Sequence, residues 1–106
     1  MSYRLTPAAQ LQRRELLRER AVDAGFRSAE KLRRQIKAAL DRIRGWAPPG
    51  AVRADLAEIE YRFVLVQQFW IIWCFGVDRS DRIVVAMLHT RRGDIAGAVS
   101  FGDNET

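Results

Sequence analysis

His89 is the one histidine of this 106-residue chain, and it stands where the apolar run Ile83-Val84-Val85-Ala86-Met87-Leu88 meets the basic cluster Thr90-Arg91-Arg92. An imidazole titrates near neutrality and can carry a proton, while guanidinium groups beside it can hold a phosphate or a carboxylate. His89 and Arg91 are therefore the candidate catalytic pair. The bland reading follows from strand parity: with Ile83, Val85 and Met87, His89 would be a half-buried ring making one hydrogen bond. Cys74 lies in the apolar run Phe69-Trp70-Ile71-Ile72-Trp73-Cys74-Phe75 and reads as a small core residue with no charged neighbour to activate its thiol. One histidine, one cysteine and scattered carboxylates offer no metal-ligand spacing, and glycines 25, 45, 50 and 76 stand alone rather than forming a phosphate loop. No metal and no cofactor are expected. Glu15 and Glu19 read as intrahelical partners of neighbouring arginines.

The elements that must position these groups are legible from period and punctuation. Ile59 to Arg92 reads as a three-stranded meander, its apolar runs broken at Gln67-Gln68 and around Asp78-Arg79-Ser80. In the first run Ile59, Tyr61, Phe63 and Leu65 share one apolar face, and the other face is mixed at its start. The second run is apolar on both faces, as for a central strand. Trp70 and Trp73 fall on opposite faces, so one packs inward and the other is free to anchor a partner. Upstream, residues 2–6 alternate like a short strand, and Thr6-Pro7 supplies a helix cap with proline at the first helical position. That opens a helix over 7–24, with Ala9, Leu16, Leu17, Ala21 and Ala24 on its stripe, Arg13 interrupting it and Leu11 off it. Gly25 stops it, and Ser28 can cap a second helix over 28–44 with the cleaner stripe Leu32, Ile36, Ala39, Leu40 and Ile43. Trp46 to Gly50 ends that helix; 51–58 is open between a helical turn and an extended lead, and 93–106 is a Gly-rich tail. The expected fold is a single α+β domain, 1–106, an antiparallel-rich sheet in the order strand-helix-helix-strand-strand-strand packed against a two-helix hairpin.

Charge is distributed unevenly. Residues 1–47 hold twelve Lys and Arg against five Asp and Glu, a balance of +7, while 48–106 hold six against eight, a balance of −2. Such a field favours an acidic partner, or else is a solvated helix surface. The amino end lacks the apolar centre of a signal peptide, and the longest apolar segment, 63–77, is fifteen residues with two glutamines inside, short of the roughly twenty a membrane span needs. No membrane insertion is expected, and a lone cysteine suits a reduced cytoplasm.

The element order and three stretches, YRLTPAAQ at 3–10, RFVLVQQFWIIW at 62–73 and DRIVVAMLHTRRGD at 81–94, resemble the RelE/ParE family of toxins from bacterial toxin-antitoxin pairs. The resemblance implies a cognate antitoxin as partner and one of two activities: poisoning of DNA gyrase without chemistry, or ribosome-dependent cleavage of mRNA. The nuclease branch carries an arginine after the aromatic of its central strand, where this chain has Trp70 after Phe69; its lysine pair near the meander has no counterpart, since Lys31 and Lys37 lie on the second helix. Arg53 or Arg62 could replace that charge but not the proton transfer. No tyrosine follows Arg91, Phe101 being the only aromatic in the tail. The chain thus resembles the ParE side more closely, with Arg13, Arg14, Arg33, Arg34, Trp70, Arg91 and Arg92 as the candidate surface for target and antitoxin, as a homodimer or a hetero-oligomer. Ribosome-dependent cleavage by His89 and Arg91 is the alternative. A nucleic-acid-binding module without toxicity is the third reading, carried by charge.

Overall fold

In the computed structural model, which describes residues 2–45, 61–76 and 81–91, Thr6 and Pro7 set the boundary between the first strand and the first helix. Strand β1 (Ser2–Leu5) ends at Thr6, whose extended backbone carries a side chain that accepts the Ala9 amide at 3.2 Å. Pro7 then occupies the first helical position of α1 (Pro7–Ala24), where a missing N–H costs nothing. Gly25 (φ 92°, ψ 167°) ends α1 by donating its N–H to the Ala21 carbonyl at 3.0 Å, and its own carbonyl accepts the Ala29 amide at 3.2 Å. One residue thereby closes α1 and opens α2 (Phe26–Gly45), because that backbone conformation is open to glycine alone. The expected Ser28 cap is corrected: α2 begins before Ser28, whose hydroxyl accepts a hydrogen bond from Arg20 at 3.4 Å.

The expected stripe of α2 is buried, Leu32, Ile36, Ala39, Leu40 and Ile43 together with Ala29. α1 buries only Ala9 and Leu16, and Leu11 is exposed, as its place off the stripe requires. Ala24, expected on the stripe, is exposed at the helix end. Both helices cover one face of a four-stranded sheet formed with β2 (Arg62–Val66), β3 (Phe69–Phe75) and β4 (Asp81–His89), in the order β1-β4-β3-β2. The architecture is α+β, and the sheet is mixed: β1 runs parallel to β4, and the two remaining pairings are antiparallel.

Register explains which side chains face the helices. Ile72 pairs with Ala86 and Trp73 with Val84, so Val85 is an extra residue in β4, a bulge. Val84 and Met87 both join the helix-side core with Val66, Ile71 and Trp73, whereas Ile83, Val85, Ala86 and Leu88 pack with Ile72 and Cys74 on the opposite face. The parity that groups Ile83, Val85 and Met87 is therefore corrected, because the bulge inverts facing between Val85 and Met87. On β2 the mixed face turns inward, Val64 and Val66 packing toward the helices, while Phe63 and Leu65 are exposed. The expectations for Ile59, 46–58, Arg79, Arg92 and the 93–106 tail lie outside the described residues.

Replacing Gly25 by alanine puts a Cβ on a backbone conformation reserved for glycine, so Gly25→Ala should destabilise the fold by about 1–3 kcal/mol. Urea melts check this; an unchanged midpoint would show that the helix junction adapts without strain.

Candidate functional site

The site forms where the β2–β3 hairpin and the end of β4 meet α1. A two-residue turn, Gln67-Gln68, closes the hairpin, and Gln67 takes the positive φ of 53° that such turns require. The Gln67 amide is held from both helices: its Oε1 accepts from Arg20 at 2.7 Å and its Nε2 donates to Gln35 at 2.7 Å. The Gln68 carbonyl accepts the Thr90 amide at 2.9 Å, so the turn also fixes the exit of β4.

His89 pairs in register with Phe69 and is half-buried, its ring edge-on to Phe69 with centroids 5.4 Å apart. Its Nδ1 accepts the Arg91 amide at 3.0 Å. A backbone N–H can only donate, so Nδ1 carries no proton and Nε2–H faces the Gln68 Oε1 at 3.3 Å. Both ring nitrogens have a partner, in hydrogen bonds exposed at the surface. Arg20 stacks over Phe69, its guanidinium carbon 5.9 Å from the ring centre.

Beside His89 lies a cleft of about 320 Å³ with an apolar floor of Leu16, Phe69 and Met87. Glu15, Glu19 and Asp23 line its α1 wall at helical spacing, with Arg20 the one guanidinium among the lining residues. Among the described residues neither glutamate forms an ion pair, so the expected intrahelical pairing of Glu15 and Glu19 is corrected. A wall of three carboxylates repels a phosphate approaching His89 from this side. With its Nδ1 accepting the Arg91 amide, His89 stands as a positioning residue for the Arg91 backbone.

The sequence-derived binding residues are spread over two faces. Arg14 and Arg34 are exposed on the helices, and Arg13 is half-buried. Arg33 is tied to Glu30 by hydrogen bonds of 2.9 and 3.1 Å from its Nε. That bond, the largest influence, holds the Glu30 carboxyl below the usual carboxylate range and raises Arg33 in return. Trp70 is half-buried on the sheet face away from the helices, edge-on to Phe63 at 5.8 Å, while Trp73 is buried on the helix side. The Arg91 side chain is exposed. Lys31 and Lys37 are exposed on α2, and Arg62 lies over Phe75 at 6.0 Å.

Sequence reasoning missed Arg20, Gln67 and Gln68 as the residues that bind hairpin to helices, although the paired glutamines between two apolar runs were the available signal. It also missed Arg82, which is buried with its guanidinium 5.2 Å over Phe75. No local signal marks that burial. No protein-family model matches this chain, and no curated protein matches it.

His89→Ala removes the acceptor of the Arg91 amide, so hydrogen exchange at that amide should speed up; an unchanged exchange rate would refute the contact. For Glu30 the sign is that of a depressed carboxyl: its contribution is present above the unfolded pKa and is lost as pH falls through the folded one. Both partners are solvated, so the contribution to stability is small. Arg33→Gln should return Glu30 to the ordinary carboxylate range while the melting temperature barely moves.

Proposed function

We propose that the chain is the toxin of a type II toxin-antitoxin pair of the RelE/ParE kind, with a RelE/ParE-like fold, which acts in the cytoplasm by binding DNA gyrase and is held inactive by a cognate antitoxin. The support is cumulative. The strand-helix-helix-strand-strand-strand order is the one the resemblance implies, and its last strand delivers His89 and Arg91 at the exit.

The observation that carries binding over chemistry is the state of His89. A metal-independent ribonuclease must take a proton from a 2′-hydroxyl and return one to the leaving oxygen, so its imidazole must have a nitrogen open to substrate. Here one nitrogen accepts the Arg91 amide and the other faces Gln68. The carboxylate wall of the adjoining cleft opposes the charge that a cleaved phosphate would bring. Trp70 stands where the nuclease branch has an arginine, and its ring packs on the sheet face away from His89.

Induced expression should arrest growth, and coexpression of the neighbouring small reading frame should relieve it. Purified chain should inhibit gyrase supercoiling, and Arg91→Ala should weaken that inhibition about tenfold, the loss of one charge-assisted contact. Cleavage of mRNA that requires ribosomes and disappears in His89→Ala would overturn the gyrase reading in favour of the nuclease. Growth unaffected by expression would overturn both.

A further inference from the structure

The charges of α2 fall on two ridges that differ in one respect. Glu30, Arg33, Lys37, Asp41 and Arg44 follow helical spacing and pair with one another: Arg33 bonds Glu30, and Asp41 receives Lys37 at 3.3 Å and Arg44 at 3.5 Å. Arg27, Lys31, Arg34 and Arg42 lie about a quarter of a turn away, also clear of the buried stripe of Leu32, Ile36, Ala39 and Ile43. All four are exposed, and among the described residues none has a hydrogen bond or ion pair. Arg34 contributes to the field at Glu30 without bonding it. On α1, Arg14 and Arg18 are likewise exposed and unpaired among the described residues, while Glu15, Glu19 and Asp23 line the cleft beside β4.

We infer that this unpaired outer ridge of α2 docks the phosphate backbone of duplex DNA. The inference is independent of the gyrase reading. From Arg27 to Arg42 the ridge is straight and about 22 Å long, a length over which a DNA duplex presents about 13 charges. A protein partner would need an apolar or aromatic anchor, and between Arg27 and Arg42 the ridge offers only Ala38. A single strand would need several aromatic side chains on which successive bases stack, and α2 exposes one, Phe26, before the ridge begins. Cations gathered on one side of a helix fit a charged backbone, whose contacts carry no sequence information of their own.

The experiment uses the intact chain and a labelled 24-base-pair duplex of mixed sequence, read by anisotropy from low to moderate salt. Two triple variants remove the same charge from the same helix: Arg27→Gln/Lys31→Gln/Arg34→Gln strips the unpaired ridge, and Arg33→Gln/Lys37→Gln/Arg44→Gln strips the paired one. The first should weaken binding at least tenfold and reduce the slope of log K against log salt by about 2–3, while the second should stay within about threefold of wild type. Circular dichroism melts verify that both variants are folded. Equal losses in the two variants, tighter binding to single strands, to duplex RNA or to an acidic peptide, or no binding at low salt would each overturn the inference.

Discussion

The bulge at Val85 is the constraint on which the rest of the structure depends. There the amino-terminal strand stops and the first helix begins: Thr6 donates its amide to the Val84 carbonyl at 3.0 Å and its hydroxyl to the Val85 carbonyl at 3.4 Å. The same hydroxyl oxygen caps α1. A bulge turns the ladder groups of β4 away from a regular neighbour, and side chains meet them here. Past the bulge the Met87 amide donates to the Gln12 side chain at 2.8 Å, so α1 takes over the edge that β1 leaves. β4 is thereby closed first by a strand and then by a helix. Backbone donors that would otherwise be left inside the fold find partners, which is the condition for burying a strand deeply.

The inversion of facing at the bulge also decides the chemistry of the site. Met87 is returned to the helix side, and His89 follows it onto Phe69, Gln68 and the acidic wall of α1. On a regular strand Met87 and His89 would share a face with Val85, which packs on the opposite side of the sheet. A ring placed between a turn glutamine and a backbone amide is suited to holding the exit of the strand in shape. Exposed Arg91 is the group that this arrangement presents outward.

Electrostatics in this chain is a matter of sorting rather than of total charge. The net charge of +5 conceals three surfaces: an internally paired ridge on α2, an unpaired cationic ridge beside it, and a carboxylate row on α1. Surface pairs such as Arg33 with Glu30 add little to stability because water screens them. Their consequence is to decide which cations remain available to a partner. Trp70, with exposed Phe63 and Leu65 nearby on the hairpin, belongs to the opposite side of the molecule and to a different kind of contact, apolar rather than ionic.

Local signals sufficed for whatever depends on neighbours in the chain. Thr6-Pro7 announced the start of α1, the period of Leu32, Ile36, Ala39, Leu40 and Ile43 announced the buried face of α2, and the breaks at the glutamine pair and beyond Phe75 separated the strands. The opposite facing of the two tryptophans also followed from parity, because β3 itself stays regular. Tertiary structure alone decided the rest. Nothing in Ile83-Val84-Val85-Ala86 marks Val85 as the extra residue; the bulge is stabilised by Thr6, 79 positions away. The early start of α2 depends on the glycine conformation that the hairpin imposes, and the engagement of Arg33 while Arg34 stays open depends on which helix ridge each occupies. Caps and periods are properties of a few consecutive residues, whereas strand order, bulge position and the availability of a charge are set by groups distant in sequence that meet only when the sheet closes against the helices.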